Sequence, residues 1–317
     1  MSIYISNLYA YVLERCEHVR NEQSQLGMIV PLSLVCSERI SQLRDMYSKL
    51  PGAYWFSNFE IFPSRLFEGA FQRVTIMLSA RQDKIEAFTT KLHRWYTQER
   101  QVLFDRILYS HGEIKIGRML KLSSGIHTMV VGKLLKSKPV IPSRFKTDYF
   151  MFYQEAVNYW MKCCMRVPYY RKNGIVSAPD HGRFLFFDSR KKLETVFACL
   201  NSSLFYIWYI SNSDGFHLND SIVRDCRIPN SAWDDKMLNL LAKQLEINIK
   251  KNSFETTRNT SSAKISIESF RINLSKPIID EIDELLAKHY GFTEEELDFI
   301  INYDIKYRMG DELNAGE

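Results

Sequence analysis

The stretch Leu26–Val35, LGMIVPLSLV, is a short apolar run punctuated by Gly27 and Pro31, and it reads as the buried strand of a parallel sheet followed by a loop. On its amino-terminal side, Leu8, Val12, Cys16 and Val19 fall on one stripe at helical spacing. That spacing predicts a helix ending near Asn21, with Ser6 as its cap. On the other side, Ser37 starts a second helix that runs through about Lys49. Tyr54–Phe59 and Val74–Ser79 read as two more strands, joined by the polar and basic connection Phe62–Arg73. The pattern is α/β and incomplete at its front.

Further along, Gln82–Leu108 is rich in helix formers and charged residues. Gly112–Asp188, dense in Gly and Pro, reads as short strands and loops with one helix near Gln154–Cys164, a second and irregular domain. Leu193–Ile210 and Asp234–Lys250 look helical, and the polar Asn252–Ser262 reads as a mobile linker. Two helices close the chain, Pro277–Tyr290, stopped by Gly291, and Thr293–Ile301, where Thr293 and Glu296 form a capping box.

With 45% hydrophobic and 25% charged residues over 317 positions, the composition is globular and excludes a disordered or low-complexity chain. The six Cys contain no CxxC pair, which argues against a zinc site or a secreted disulfide scaffold and for a reducing cytoplasm. The most apolar run, Val196–Ile210, is interrupted by Asn201, Ser202 and Ser203 and falls short of the roughly 20 residues of a spanning helix. The first residues lack the pattern of a signal peptide.

Charge is unevenly placed. From Lys276 onward there are 4 basic and 12 acidic residues, so −8 of the overall +5 lies there and +13 lies on residues 1–275. Between Lys115 and Lys146, Lys115, Arg118, Lys121, Lys133, Lys136, Lys138, Arg144 and Lys146 occur without a single Asp or Glu. Tyr149, Phe150, Phe152, Tyr153, Tyr159, Trp160, Tyr169 and Tyr170 follow, with Arg171, Lys172 and Arg183. This basic and aromatic mixture suits phosphate contact and base stacking, although a solvated face beside an aromatic core would look the same. Self-contained catalytic motifs are absent. No GxGxxG, GxxxxGK[ST], HExxH or GxSxG occurs, His217 reads as a loop histidine, and Asp180 and His181 lack a nucleophile at diagnostic spacing.

The segments Asn7–Arg15 (NLYAYVLER), Leu26–Val35 and Ser57–Met77 (SNFEIFPSRLFEGAFQRVTIM) together resemble the later half of the gamma-class adenine-specific DNA methyltransferase domain of type I, type IIG and phage-defence systems. Ala198–Asp220 (ACLNSSLFYIWYISNSDGFHLND) resembles the end of that family's target-recognition region, and Lys276–Gly310 resembles its C-terminal signature. The resemblance implies three parts: the C-terminal portion of a Rossmann-like methyltransferase sheet over 1–110, an irregular α+β target-recognition domain over 111–233, and a helical segment over 234–317 with the linker near 252–262.

In the family, the S-adenosylmethionine loop and the Asn-Pro-Pro-Tyr loop precede the segment matching Asn7, and no Pro-Pro pair occurs in this sequence. The resemblance therefore implies no catalytic, cofactor-binding or metal residue here, with S-adenosylmethionine held by a partner chain. Phe67 is the candidate for stacking on a flipped adenine, with Phe71 as the alternative. Against this stand Phe67 packed under the strand Val74–Ser79 and Phe71 in the core. Arg65 and Arg73 flank the loop and could reach phosphate or the acids of a partner chain.

The function expected is the DNA-recognition half of a split adenine methyltransferase, acting on double-stranded DNA. The alternative is a non-catalytic DNA-binding subunit of a restriction or phage-defence complex. A decayed reading frame is a third reading, against which stand the start at Met1 ahead of a capped helix and the closing signature. A fragment holding only the last strands of a parallel sheet would expose an apolar edge, so a covering partner is expected.

Overall fold

Leu26–Val35 does form a strand, β1 (Gln25–Pro31), but its neighbour runs against it. The computed structural model describes residues 7–115, 117–161 and 163–309, so the expected cap Ser6 and Gly310 of the closing motif lie outside the described residues. β1 pairs antiparallel with β3 (Val74–Ala80), which pairs antiparallel with β2 (Gly52–Phe59). β2 in turn lies parallel to β4 (Ile85–His93), and the short β5 (Ser110–Gly112) adds antiparallel to β4. The order is β1-β3-β2-β4-β5, a mixed sheet in a mixed α/β fold. The parallel pairing expected of Leu26–Val35 is corrected: β1, β2 and β4 share one direction, but the connection after β2 returns the chain and places β3 between β1 and β2.

α1 (Leu8–Val19) forms where its stripe predicts, yet it buries Ala10, Leu13 and Glu17 and leaves Leu8, Val12 and Val19 exposed. The crossover from β1 to β2 is built from α2 (Ser33–Cys36), a 3-10 turn capped by the Ser37 side chain, and α3 (Ser41–Tyr47). Gln82–Leu108 becomes β4 and a 3-10 turn rather than a helix, because Ala87, Thr89, Thr90 and Leu92 are buried in the sheet, and tertiary packing overrides propensity.

One sheet face buries Tyr54, Phe56 and Met77, with Tyr54 edge-on to Tyr47 of α3 at 5.3 Å. On the other face the register aligns Gly27, Leu78, Trp55, Phe88 and His111 across all five strands. Towards the carboxyl end of β2 a cluster of Phe59, Leu66, Trp95 and Leu103 is buried. Away from that cluster this face stays open, with Leu78 46% and Ile29 51% exposed and Trp55 and Phe88 half-buried and stacked at 5.5 Å.

The chain groups into two compact units, Met1–Thr128 with Ile210–Gly215, and Met129–Tyr209 with Phe216–Glu317. The expected boundary at 110 falls inside the first unit, and 234–317 belongs to the second rather than forming a third. α4 (Gly125–Leu135) was not foreseen, while among the described residues no helix occupies 154–164.

In the second unit β6 (Lys138–Pro139) pairs with β12 (Arg227–Ile228). β7 (Phe150–Gln154) lies between β8 (Cys163–Cys164) and β11 (Gly182–Phe186). The third sheet runs β10 (Ile175–Val176), β9 (Tyr170–Lys172), β14 (Lys264–Phe270), β13 (Ser253–Asn259). The linker expected at 252–262 is thus a strand and its turn. Cross-strand hydroxyl bonds, Thr256 to Ser269 at 3.0 Å and Thr257 to Ser266 at 2.8 Å, let so polar a segment hold a ladder.

The helices are α5 (Arg190–Asn201), α6 (Ser203–Asn212), α7 (Asp220–Arg224), α8 (Lys236–Lys251), α9 (Lys276–Tyr290), α10 (Glu294–Asn302) and α11 (Ile305–Arg308). α9 stops at Gly291, at φ 67°, and α10 carries the predicted capping box. The buried carboxylate of Asp283 accepts the first amides of α6, from Ser203 at 3.2 Å and Leu204 at 3.3 Å. Beside it, buried Arg308 lies between Trp160 and Tyr206, 4.1 and 4.5 Å from their ring centroids, and donates to the Ser203 hydroxyl at 3.2 Å. The LNSSLFY segment and the closing segment are therefore joined by a buried polar network. No single helix among the described residues is long and apolar enough to cross a membrane.

Candidate nucleic-acid interface

The connection from β2 to β3 is a loop clamped at both ends and in the middle. At its root the Glu60 amide donates to the His93 carbonyl at 2.9 Å, which joins the carboxyl ends of β2 and β4. The buried Glu60 carboxylate pairs with Arg73 at 2.5 Å and Arg94 at 3.8 Å. Burial raises the Glu60 pKa, and the two guanidiniums pull it back. Gly215, at φ 79°, lies so close that a Cβ there would meet Glu60 Oε2 at 2.7 Å. Farther out, Arg100 lies over Trp95, 5.0 Å from the ring centroid, and donates to the carbonyls of Leu66 at 3.2 Å and Arg65 at 3.1 Å. Ser64 and Thr97 share a hydrogen bond of 2.8 Å.

Between the clamps, Phe62, Phe67 and Phe71 stand in solvent. Phe62 meets Phe71 edge-on at 5.5 Å, and the Arg65 guanidinium lies over Phe71, also at 5.5 Å. Phe67 is 42% exposed; the buried neighbour in this loop is Leu66. In open α/β sheets ligands bind outside the carboxyl ends of the strands, and this loop leaves the carboxyl end of β2.

Two expectations are corrected. Phe71 is 66% exposed and does not belong to the core, because Leu66 supplies the loop's apolar anchor. Arg73 does not offer its guanidinium to phosphate, because it is bound to Glu60 inside the loop's root. Arg65 remains exposed.

The basic run divides between the units and most of its front half is already engaged. Lys121 is fully buried, and its ammonium donates to the carbonyls of Ser211 at 3.0 Å and Ser213 at 2.7 Å. Burial lowers its pKa to about 8. Its assignment to phosphate is corrected, since the side chain ties one chain segment to another. Arg118 pairs with Glu38 at 2.6 Å and Lys115 with Glu113 at 3.2 Å. Lys133 is likewise occupied, paired with Glu296 at 2.5 Å and donating to the Gly291 carbonyl at 2.7 Å. Lys172 pairs with Asp180 at 3.4 Å and Arg183 with Glu155 at 2.6 Å. Lys136, Lys138, Arg144, Lys146 and Arg171 are exposed, and among the described residues they have no carboxylate partner. All five lie in the second unit.

Asp180 accepts from the Tyr170 hydroxyl at 2.7 Å, and exposed His217 packs edge-on to Phe216 at 4.9 Å. The structure adds residues that the sequence reading passed over: Phe145, 80% exposed, and Phe184 and Phe186 of β11, which form a half-exposed face with Phe150 of β7. A readable signal was there, an aromatic residue set directly between Arg144 and Lys146. Compared with known proteins, the chain matches no family model and no curated protein.

Proposed function

We propose that this chain is the DNA-recognising, sheet-completing half of a split adenine-specific DNA methyltransferase. Its first unit would be the C-terminal part of a Rossmann-like methyltransferase sheet. A partner chain would bring the S-adenosylmethionine loop and the Asn-Pro-Pro-Tyr loop. The observation that carries this reading is the clamped loop after β2. It presents Phe67 to solvent beside the carboxyl ends of β2 and β4, within the segment Ser57–Met77 that resembles the family. An adenine acted on by such an enzyme leaves the duplex, and an aromatic face held rigidly at the site offsets the lost stacking.

Three apolar features of the first unit support a protein partner. The outer edge of β1 has no neighbouring strand among the described residues, the Leu78–Trp55–Phe88 row is half-open, and the α1 stripe of Leu8, Val12 and Val19 faces outward. Strands and faces of this kind in α/β sheets are normally covered. In the second unit the five unpaired cations support contact with the DNA backbone. Those cations alone would equally serve a non-catalytic DNA-binding subunit of a restriction or defence complex.

The two readings separate on base extrusion. A complex purified through a tag on this chain should raise the fluorescence of 2-aminopurine placed at the target adenine of a duplex, and less so with Phe67→Ala. A signal that never rises on binding contradicts the methyltransferase reading and favours the second.

A further inference from the structure

Phe145 is exposed on a loop that is not slack. The Ser143 hydroxyl donates to the Phe145 carbonyl at 3.0 Å and accepts the Phe145 amide at 3.1 Å. The Tyr149 amide donates to the Thr147 hydroxyl at 3.2 Å. The loop is also hitched to the end of β11: the Ser143 amide donates to the Phe186 carbonyl at 2.7 Å, the Thr147 hydroxyl to the Phe187 carbonyl at 2.6 Å, and the Phe187 amide to the Tyr149 carbonyl at 2.8 Å. Six hydrogen bonds fix the loop that carries the ring, so little loop-ordering entropy is lost when something packs on it. Among the described residues its ring meets no other aromatic ring, and the side chain is 80% exposed, so it has no place in the core.

Its sequence neighbours Arg144 and Lys146 are exposed and unpaired, and Ser143 ties the loop to Phe186, whose ring stacks on Phe184 at 6.2 Å. An apolar protein partner would leave two unpaired cations at the centre of the contact. A nucleic-acid strand satisfies all three side chains together.

We infer that the Arg144–Phe145–Lys146 tip is a base-stacking contact for unpaired nucleotides, with Phe145 on a base face and Arg144 and Lys146 on the flanking phosphates. The inference rests on the reading that the second unit binds DNA, and goes beyond it by naming single-stranded nucleic acid as the ligand of this tip. Every base has a π-face, so the contact is sequence-tolerant.

The test uses the full chain, a labelled mixed-sequence single-stranded oligonucleotide and its duplex, with binding followed by anisotropy over a salt series. Phe145→Ala should weaken single-strand binding about fivefold to a hundredfold without changing the salt slope, and with an unchanged melting temperature. Phe145→Trp should retain affinity, and its indole emission should be quenched on binding. Arg144→Ala and Lys146→Ala should each lower the single-strand salt slope by about 0.7. Equal single-strand affinity for wild type and Phe145→Ala overturns the inference, as does a loss seen on the duplex alone. If duplex binding still depends on the cations in that case, the DNA reading stands; if the wild type binds neither nucleic acid, both fall.

Discussion

Phe67 and His127 show how single side chains carry separable tests. Because Phe67 is 42% exposed and Leu66 anchors the loop, Phe67→Ala should change stability by no more than about 0.5 kcal/mol, the usual range for surface positions. In the assembled complex the same change should remove about 1 to 3 kcal/mol of stacking and slow methyl transfer about tenfold to a hundredfold, with Phe67→Trp retaining more activity. A destabilised Phe67→Ala protein with poor partner and DNA binding would contradict the stacking role. His127, fully buried, accepts the Ser123 amide on Nδ1 at 3.1 Å, so its proton sits on Nε2, facing the Ser211 hydroxyl at 2.9 Å. Burial lowers its pKa to about 3, and that of buried His93 to about 4. The unfolded chain titrates these groups near 6.5, so between those values it binds protons that the fold refuses. Their contribution to stability is therefore complete above about pH 6.5 and lost as pH falls through about 4 for His93 and about 3 for His127. Asp283, raised by burial to about 6, acts in the opposite sense: its contribution is present below its unfolded value and lost as pH rises through 6. Urea unfolding at a series of pH values should show a shallower acid loss for His127→Gln than for wild type; an unchanged slope would contradict the assignment.

At the scale of elements, the loop after β2 depends on its root. Glu60→Gln would leave the partly buried Arg73 and the buried Arg94 without their carboxylate, and breaking a buried pair from one side typically costs about 3 to 5 kcal/mol. Thermal unfolding should register that loss; a melting temperature equal to wild type would show that the pair is incidental. Much of this architecture is legible in the sequence. β1, β2 and β3 announce themselves as short apolar runs, and Gly291 with the Thr293–Glu296 box marks α9 and α10 to within a residue or two, while the short α11 after them was not foreseen. What stays hidden is partner and direction. An apolar run does not say whether its neighbour runs with or against it, so the insertion of β3 could not be read. Lys121 looks like any other cation in a basic run, because the Ser211 and Ser213 carbonyls that hold it lie about ninety residues away. The strand Ser253–Asn259 is concealed for the same reason, since its hydroxyls find their partners only across the hairpin.

For the whole molecule, the account requires a second chain. Ile29 stands 51% exposed on the edge strand, so Ile29→Lys should leave the fold intact while abolishing co-purification of a partner; a partner still recovered in full would place the interface elsewhere. The charge is divided along the sequence, +13 on residues 1–275 and −8 beyond. The most direct test of the split methyltransferase reading needs no knowledge of the partner's identity. Genomic DNA from cells that encode this chain can be sequenced for N6-methyladenine with the gene intact, deleted, or carrying Phe67→Ala. The account predicts that methylation at one recurrent sequence motif disappears on deletion, falls with Phe67→Ala, and returns with Phe67→Trp. A methylation pattern unchanged by deletion would contradict it.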